Sequence, residues 1–155
     1  MTTRLTPGDK APAFTLTGAD GAQASLEDLR GTRSVIYFYP KAFTPGCTTE
    51  ACDFRDNEAS FAERGYRVIG ISTDSPETLE GFAREHALPF MLLSDPEGRT
   101  ARAWGAWGRR NADDPASEGP VRTTVVLDSD GMVLSADYGV AAAGHVTSLL
   151  GTLQR

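Results

Sequence analysis

The run at residues 34–39, SVIYFY, constrains the fold of this chain more than any other stretch. It carries no charge and is rich in aromatic and β-branched side chains. A strand with one wet face alternates apolar and polar residues, whereas a strand covered on both faces reads as an unbroken apolar run. Residues 68–72, VIGIS, are a second run of this kind. The stretch between them reads as a helix opening at Thr48 or Thr49, running to Arg64 and ending at Gly65. Pro76 starts another helix lasting to about His86, with Leu79, Phe82 and Ala83 on one face, and Met91 to Leu93 forms a short strand. Strands alternating with helices give a parallel sheet.

The flanks add antiparallel structure. Residues 12–25 read as an N-terminal β-hairpin in which Phe14 and Leu16 alternate and Gly18-Ala-Asp-Gly21 makes the turn. Ser25 then caps a helical turn, Leu26 to Leu29, with Asp28 at the capping-box position. Residues 100–104 suggest a helical turn, and residues 105–120 a polar loop long enough to suspect function. Thr123 to Leu127, the turn Asp128-Ser-Asp-Gly131 and residues 132–138 make a closing hairpin. A last helix carries Val146, Leu149, Leu150 and Leu153 on one face. The expectation is an α/β fold of the thioredoxin type, a mixed central sheet flanked by helices. At 155 residues the chain is expected to be one domain, 1–155.

The net charge of -6 argues against a nucleic-acid binder, which needs a basic stripe to displace counterions. The basic pair Arg109-Arg110 is soon followed by Asp113 and Asp114. A membrane-surface role is disfavoured on the same ground, and the apolar run at residues 35–39 is too short to span a bilayer. The N-terminus shows no apolar core of a signal peptide, so a cytoplasmic protein is expected. Two cysteines, Cys47 and Cys52, are no disulfide framework. In a reducing compartment such a close pair is more often redox-active than structural. No C-x-x-C or H-x₃-H spacing is present, so neither metal nor cofactor is expected. Asp128-Ser-Asp-Gly reads as a hairpin turn rather than a calcium loop. His86 reads as a packed or half-exposed residue, His145 as a helix cap, and Trp104 and Trp107 as packing for the loop's base. Glu50 reads equally as the partner of an arginine or as a solvated first-turn acid.

The chemistry gathers in PKAFTPGCTTEAC, residues 40–52, where the first buried strand gives way to a helix. Cys47 falls at or just before the helix start, where unsatisfied N–H groups and the macrodipole favour a thiolate. Thr44, in the tight turn upstream, can aim its hydroxyl at the sulfur or at a bound oxygen. Pro40 and Pro45 stiffen the loop and shield the sulfur. On these local features alone, an activated thiolate and a small buried hydrophobe are equal readings.

The wider string decides between them. Pro40-x-x-x-Thr44-x-x-Cys47 is similar to the peroxiredoxin active-site signature, and FYPKAFTPGCTTEACDFRD resembles the peroxiredoxin Q group, also called bacterioferritin comigratory protein. GISTDS, LPFMLLSD, RTTVVLDSDG and AGH extend the likeness over nearly the whole chain. The resemblance implies a thiol peroxidase acting on hydrogen peroxide and organic hydroperoxides. Cys47 would attack the peroxide and become a sulfenic acid, and Cys52 would resolve it as an intramolecular disulfide. Thioredoxin or a similar dithiol would reduce that disulfide. Thr44 would bond the substrate, Arg122 would stabilise the thiolate and the polarising O–O bond, Pro40 would shield the pocket, and the protein would act as a monomer. The sequence departs from the group at Ala42-Phe43, more apolar than the usual pair; at Trp104, where Tyr is expected; and at residues 111–118, which lack the usual Gly- and Tyr-bearing stretch. Thioredoxin-like disulfide exchange is a weaker alternative, since Cys47 and Cys52 are separated by four residues rather than two. A redox sensor that exposes a sticky surface is weaker still, for want of a large apolar segment.

Overall fold

A computed structural model describes residues 4–109 and 113–153. In chain order, the hairpin β1 (Thr15–Gly18) and β2 (Gln23–Ser25) leads through a 3-10 turn, Leu26–Leu29, into β3 (Arg33–Phe38). Then follow α1 (Pro45–Asp56), α2 (Glu58–Glu63), β4 (Tyr66–Ser72), α3 (Pro76–Glu85), β5 (Met91–Ser94) and α4 (Arg99–Ala103). A small hairpin, β6 (Trp107–Arg109) and β7 (Glu118–Pro120), precedes β8 (Thr123–Leu127), β9 (Val133–Tyr138) and α5 (His145–Thr152).

The sheet order is β2-β1-β5-β4-β3-β8-β9. β3, β4 and β5 run parallel, as the alternation of strands and helices requires, while β8 and β9 extend the sheet antiparallel beyond β3 and the β1–β2 hairpin closes its other edge. This is the mixed, helix-flanked sheet expected from the sequence. The 3-10 turn keeps its capping box: Ser25 N–H donates to Asp28 Oδ2 at 2.9 Å, and Asp28 N–H donates back to Ser25 Oγ at 3.4 Å.

β3 shows why its sequence does not alternate. Val35, Tyr37 and Tyr39 enter one core with Phe54, Phe61, Phe82 and Val146, while Ile36 and Phe38 enter a second core on the opposite face with Trp104, Ile69 and Leu127. Period two therefore holds, but both faces are covered. Gly70 of β4 lies where Tyr37 and Leu92 close in; a Cβ there would sit 2.9 Å from Leu92 Cδ2 and 2.9 Å from Tyr37 Cζ. Trp104 is fully buried, donating its indole N–H to Pro12 O at 3.1 Å, and it anchors the second core beneath β3 rather than the base of a loop.

Two sequence expectations change. The single helix expected from Thr48 or Thr49 to Arg64 begins earlier and is broken. It starts at Pro45, because proline's fixed φ suits the first helical position and its missing N–H is one the helix could not use anyway. It breaks at Asn57, whose backbone leaves the helical region and whose side chain donates to Asp53 O at 2.8 Å. Within the polar loop expected at 105–120, Trp107–Arg109 and Glu118–Pro120 pair antiparallel as β6 and β7, with Trp107 Nε1 donating to Glu118 Oε1 at 3.0 Å. Arg110 and Asn111, which belonged to that loop reading, lie outside the described residues.

Candidate active site

Strand β3 ends at Phe38, and the chain then crosses the carboxyl ends of the parallel strands, the usual location of sites in sheets of this kind. Asp74, just past β4, fixes this crossing. Its Oδ2 accepts from Ala42 N–H at 2.7 Å and from Ser72 Oγ at 2.8 Å. Sequence reasoning missed this role; the available signal was a Ser-x-Asp directly after the second buried strand. Phe43 holds φ = 67°, uncommon for a residue with a Cβ, and its exposed ring meets Phe82 edge-on at 5.1 Å. Thr44 then caps α1 by backbone conformation alone; its hydroxyl donates to Lys41 O at 2.7 Å. Pro40 is half-buried at the start of the crossing, two residues past the end of β3.

Cys47 is the third residue of α1, inside the first turn rather than before it, and only 1% exposed. Arg122, immediately before β8, donates from Nη2 to Cys47 Sγ at 3.5 Å and from Nη1 to Glu50 Oε1 at 2.7 Å. Cys47 and Arg122 are 75 residues apart in sequence, and the pairing of β3 with β8 brings them together. Gly46 makes room for this approach: a Cβ there would lie 3.1 Å from Arg122 Nη2.

Glu50 is fully buried and is the arginine's partner, which settles the two readings open in the sequence. Burial pushes its carboxyl up to about 7, against the opposing charge and hydrogen bond of Arg122. Desolvation outweighs a 2.7 Å ion pair here because only Oε1 is matched, while Oε2 has no hydrogen-bond partner. The result is a cation held between a sulfur and a carboxyl group that titrates near neutrality.

Cys52 is half-buried five residues further along α1, with its side chain towards the end of α3. Its Sγ lies 3.9 Å from His86 Nδ1, a contact the sequence reading of His86 as a packing residue did not foresee. Both cysteines are free thiols. His145 begins α5 after Gly144 and ties it to the sheet through Thr124 Oγ1 at 2.8 Å, so it is a cross-strut as well as an end residue; burial lowers its basicity. Among the described residues no group of three or more His, Cys, Asp or Glu is placed to hold a metal, and no helix is long and apolar enough to cross a membrane.

A thioredoxin-type sheet with a buried cysteine in the first turn of the helix after β3, faced by arginine, defines a cysteine-based redox enzyme. Residues 7–136 match the AhpC/TSA family. A putative peroxiredoxin of Mycobacterium tuberculosis is 53% identical over 148 residues, covering 96% of this chain and 94% of the relative. Peroxiredoxin Bcp of Escherichia coli is 43% identical over 129 residues, 83% of each chain. Among solved structures, the bacterioferritin comigratory protein of Xanthomonas campestris, described for its alkyl peroxide reduction activity, superposes with a TM-score of 0.85 at 31% identity over 99% of this chain and 97% of its own. The chain belongs to the AhpC/TSA family, as a peroxiredoxin of the Bcp and peroxiredoxin Q kind.

Proposed function

We propose that this peroxiredoxin reduces hydrogen peroxide and organic hydroperoxides through Cys47 and Cys52, with a thioredoxin-like dithiol closing the cycle. The Cys47 thiolate attacks the terminal peroxide oxygen; the S–O bond forms as the O–O bond breaks, leaving a sulfenic acid, and the departing hydroxide or alkoxide takes a proton from solvent to leave as water or an alcohol. Arg122 stabilises the negative charge as it passes from sulfur to the leaving oxygen. Thr44 orients the substrate: with its proton committed to Lys41 O, its lone pairs accept from the peroxide O–H. Pro40 shields the sulfur at the mouth of the site. Cys52 then displaces the sulfenic hydroxyl to give the intramolecular disulfide, which the external dithiol reduces by exchange. No metal or cofactor takes part, residues 1–155 act as one domain, and the protein works as a cytoplasmic monomer.

The observation that carries this reading is the contact of Arg122 Nη2 with Cys47 Sγ at 3.5 Å in the first turn of α1. Thioredoxin-coupled consumption of hydrogen peroxide by the wild type and by Cys47→Ser tests it. Turnover by the wild type and none by the variant is expected. Equal consumption by both would remove Cys47 from the reaction.

A further inference from the structure

Cys52 does not sit in a bland environment. His86 Nδ1 faces its sulfur at 3.9 Å, and on the other side of the ring Nε2 faces Glu85 Oε2 at 3.8 Å. A sulfur, an imidazole and a carboxylate that follow one another in this order are the groups by which a neighbouring base activates a thiol nucleophile. The ring is held in place. Phe82 meets it edge-on at 5.2 Å, and the following Ala87 has φ = 50°, which fixes the chain's exit from α3. Arg55 of α1 donates from Nη1 to His86 O at 2.8 Å, locking this part of α1 to the end of α3. In the tautomer that carries its proton on Nε2, the side facing Glu85, Nδ1 accepts the thiol proton.

Resting on the assignment of Cys52 as the resolving residue, we infer that His86 is the general base of the resolving step and that Glu85 orients it. His86 Nδ1 takes the Cys52 proton. The Cys52 sulfur attacks the sulfenic sulfur of Cys47, the S–S bond forms, the S–O bond breaks, and the departing hydroxide takes the imidazolium proton and leaves as water. The geometry also says which cysteine travels. The Cys52 half of α1 is pinned through Arg55, whereas the Cys47 end begins Pro-Gly-Cys-Thr-Thr with no side-chain cap. Cys47 therefore moves out of its turn towards a Cys52 that stays beside its base.

The test is stopped-flow measurement of the two steps in the full-length protein with hydrogen peroxide, with the disulfide confirmed by mass. An ordinary thiol is only a few per cent ionised at neutral pH, so loss of the base in His86→Gln should lower the ratio of resolving rate to peroxide-consumption rate by about tenfold. The pH profile should change as well. The wild-type profile should carry an acid limb, set by a base that acts only when unprotonated, and His86→Gln should lack it. Arg55, itself paired with Asp56, and Glu85 contact His86, so Glu85→Gln and Arg55→Met are measured beside it. Glu85→Gln should slow resolution by about two- to threefold, and Arg55→Met should keep the imidazole limb of the profile. Added imidazole should restore part of the resolving rate to His86→Gln, an effect that repair of packing would not produce. An unchanged rate ratio and profile in folded His86→Gln would overturn the inference. Full thioredoxin-coupled turnover by Cys52→Ser would instead overturn the assignment beneath it.

Discussion

Replacing Arg122 with methionine removes a group that both donates to Cys47 Sγ and balances Glu50. Two consequences separate cleanly. A hydrogen bond to a charged sulfur is worth about 1.5–3 kcal/mol, so peroxide attack should slow by roughly 10–10². The second consequence is in stability and depends on pH. Burial raises the Glu50 carboxyl from 4.5 to about 7. A raised acid favours the folded state below its unfolded pKa, and that advantage is lost as pH rises through the folded value; here it amounts to roughly 3 kcal/mol lost across that window. Without Arg122 the two influences that hold Glu50 down disappear, and its folded pKa moves further up. Wild-type Glu50 stops losing ground above about 7, while the variant continues to lose up to about 1.4 kcal/mol per pH unit. Urea unfolding at about pH 6 and pH 8 should therefore show a gap between wild type and Arg122→Met that widens at the higher pH, towards the 3–5 kcal/mol typical of an orphaned buried charge. Adding Glu50→Gln should close the widening but leave peroxide attack slow. A gap independent of pH, or one untouched by Glu50→Gln, would refute the reasoning.

Two glycines give sharper steric tests. Gly46→Ala places a methyl 3.1 Å from Arg122 Nη2, which should push the guanidinium off the sulfur by a few tenths of an ångström. Peroxide attack should fall about three- to tenfold while stability changes by less than about 1 kcal/mol, since alanine is the better helix former, and stopped-flow kinetics beside urea unfolding reads both. Gly70→Ala should do the reverse. Its methyl meets Tyr37, which is stacked between Tyr39 and Phe54 and cannot yield, so the melt should report about 1–3 kcal/mol of overpacking.

What the sequence made legible was what is local or periodic. The capping box at Ser25 and Asp28, the turn at Asp128, the unbroken runs of β3 and β4 and the start of α3 at Pro76 all depend on residues within a few positions of one another. α1 starts earlier than the sequence suggests because Pro45, which reads as a stiffener of the loop, occupies the first helical position. The rest depended on contacts that no local pattern encodes. Glu50 reaches Arg122 across 72 residues, Asp74 holds Ala42 across 32, and Cys52 meets His86 across 34. Spacing within α1 could show that Cys47 and Cys52 share a helix, but only the packing of α3 against it could place an imidazole beside the second sulfur.

That shared helix imposes the account's strictest demand. Cys47 and Cys52 are the third and eighth residues of α1, and ideal geometry sets their Cα atoms ~8–9 Å apart, about 140° apart around the axis. A disulfide needs about 4.4–6.8 Å. The bond cannot form until the start of α1 unwinds, and Gly46, Thr48 and Thr49 are weak enough helix formers to allow it. Amide hydrogen exchange on the reduced protein and on protein oxidised by hydrogen peroxide, with the Cys47–Cys52 disulfide confirmed by mass, measures this directly. The account predicts faster exchange at the start of α1, from Cys47 towards Phe54, in the oxidised protein, while β3 and β4 stay protected. Equal protection of α1 in both states, with the disulfide present, would contradict it.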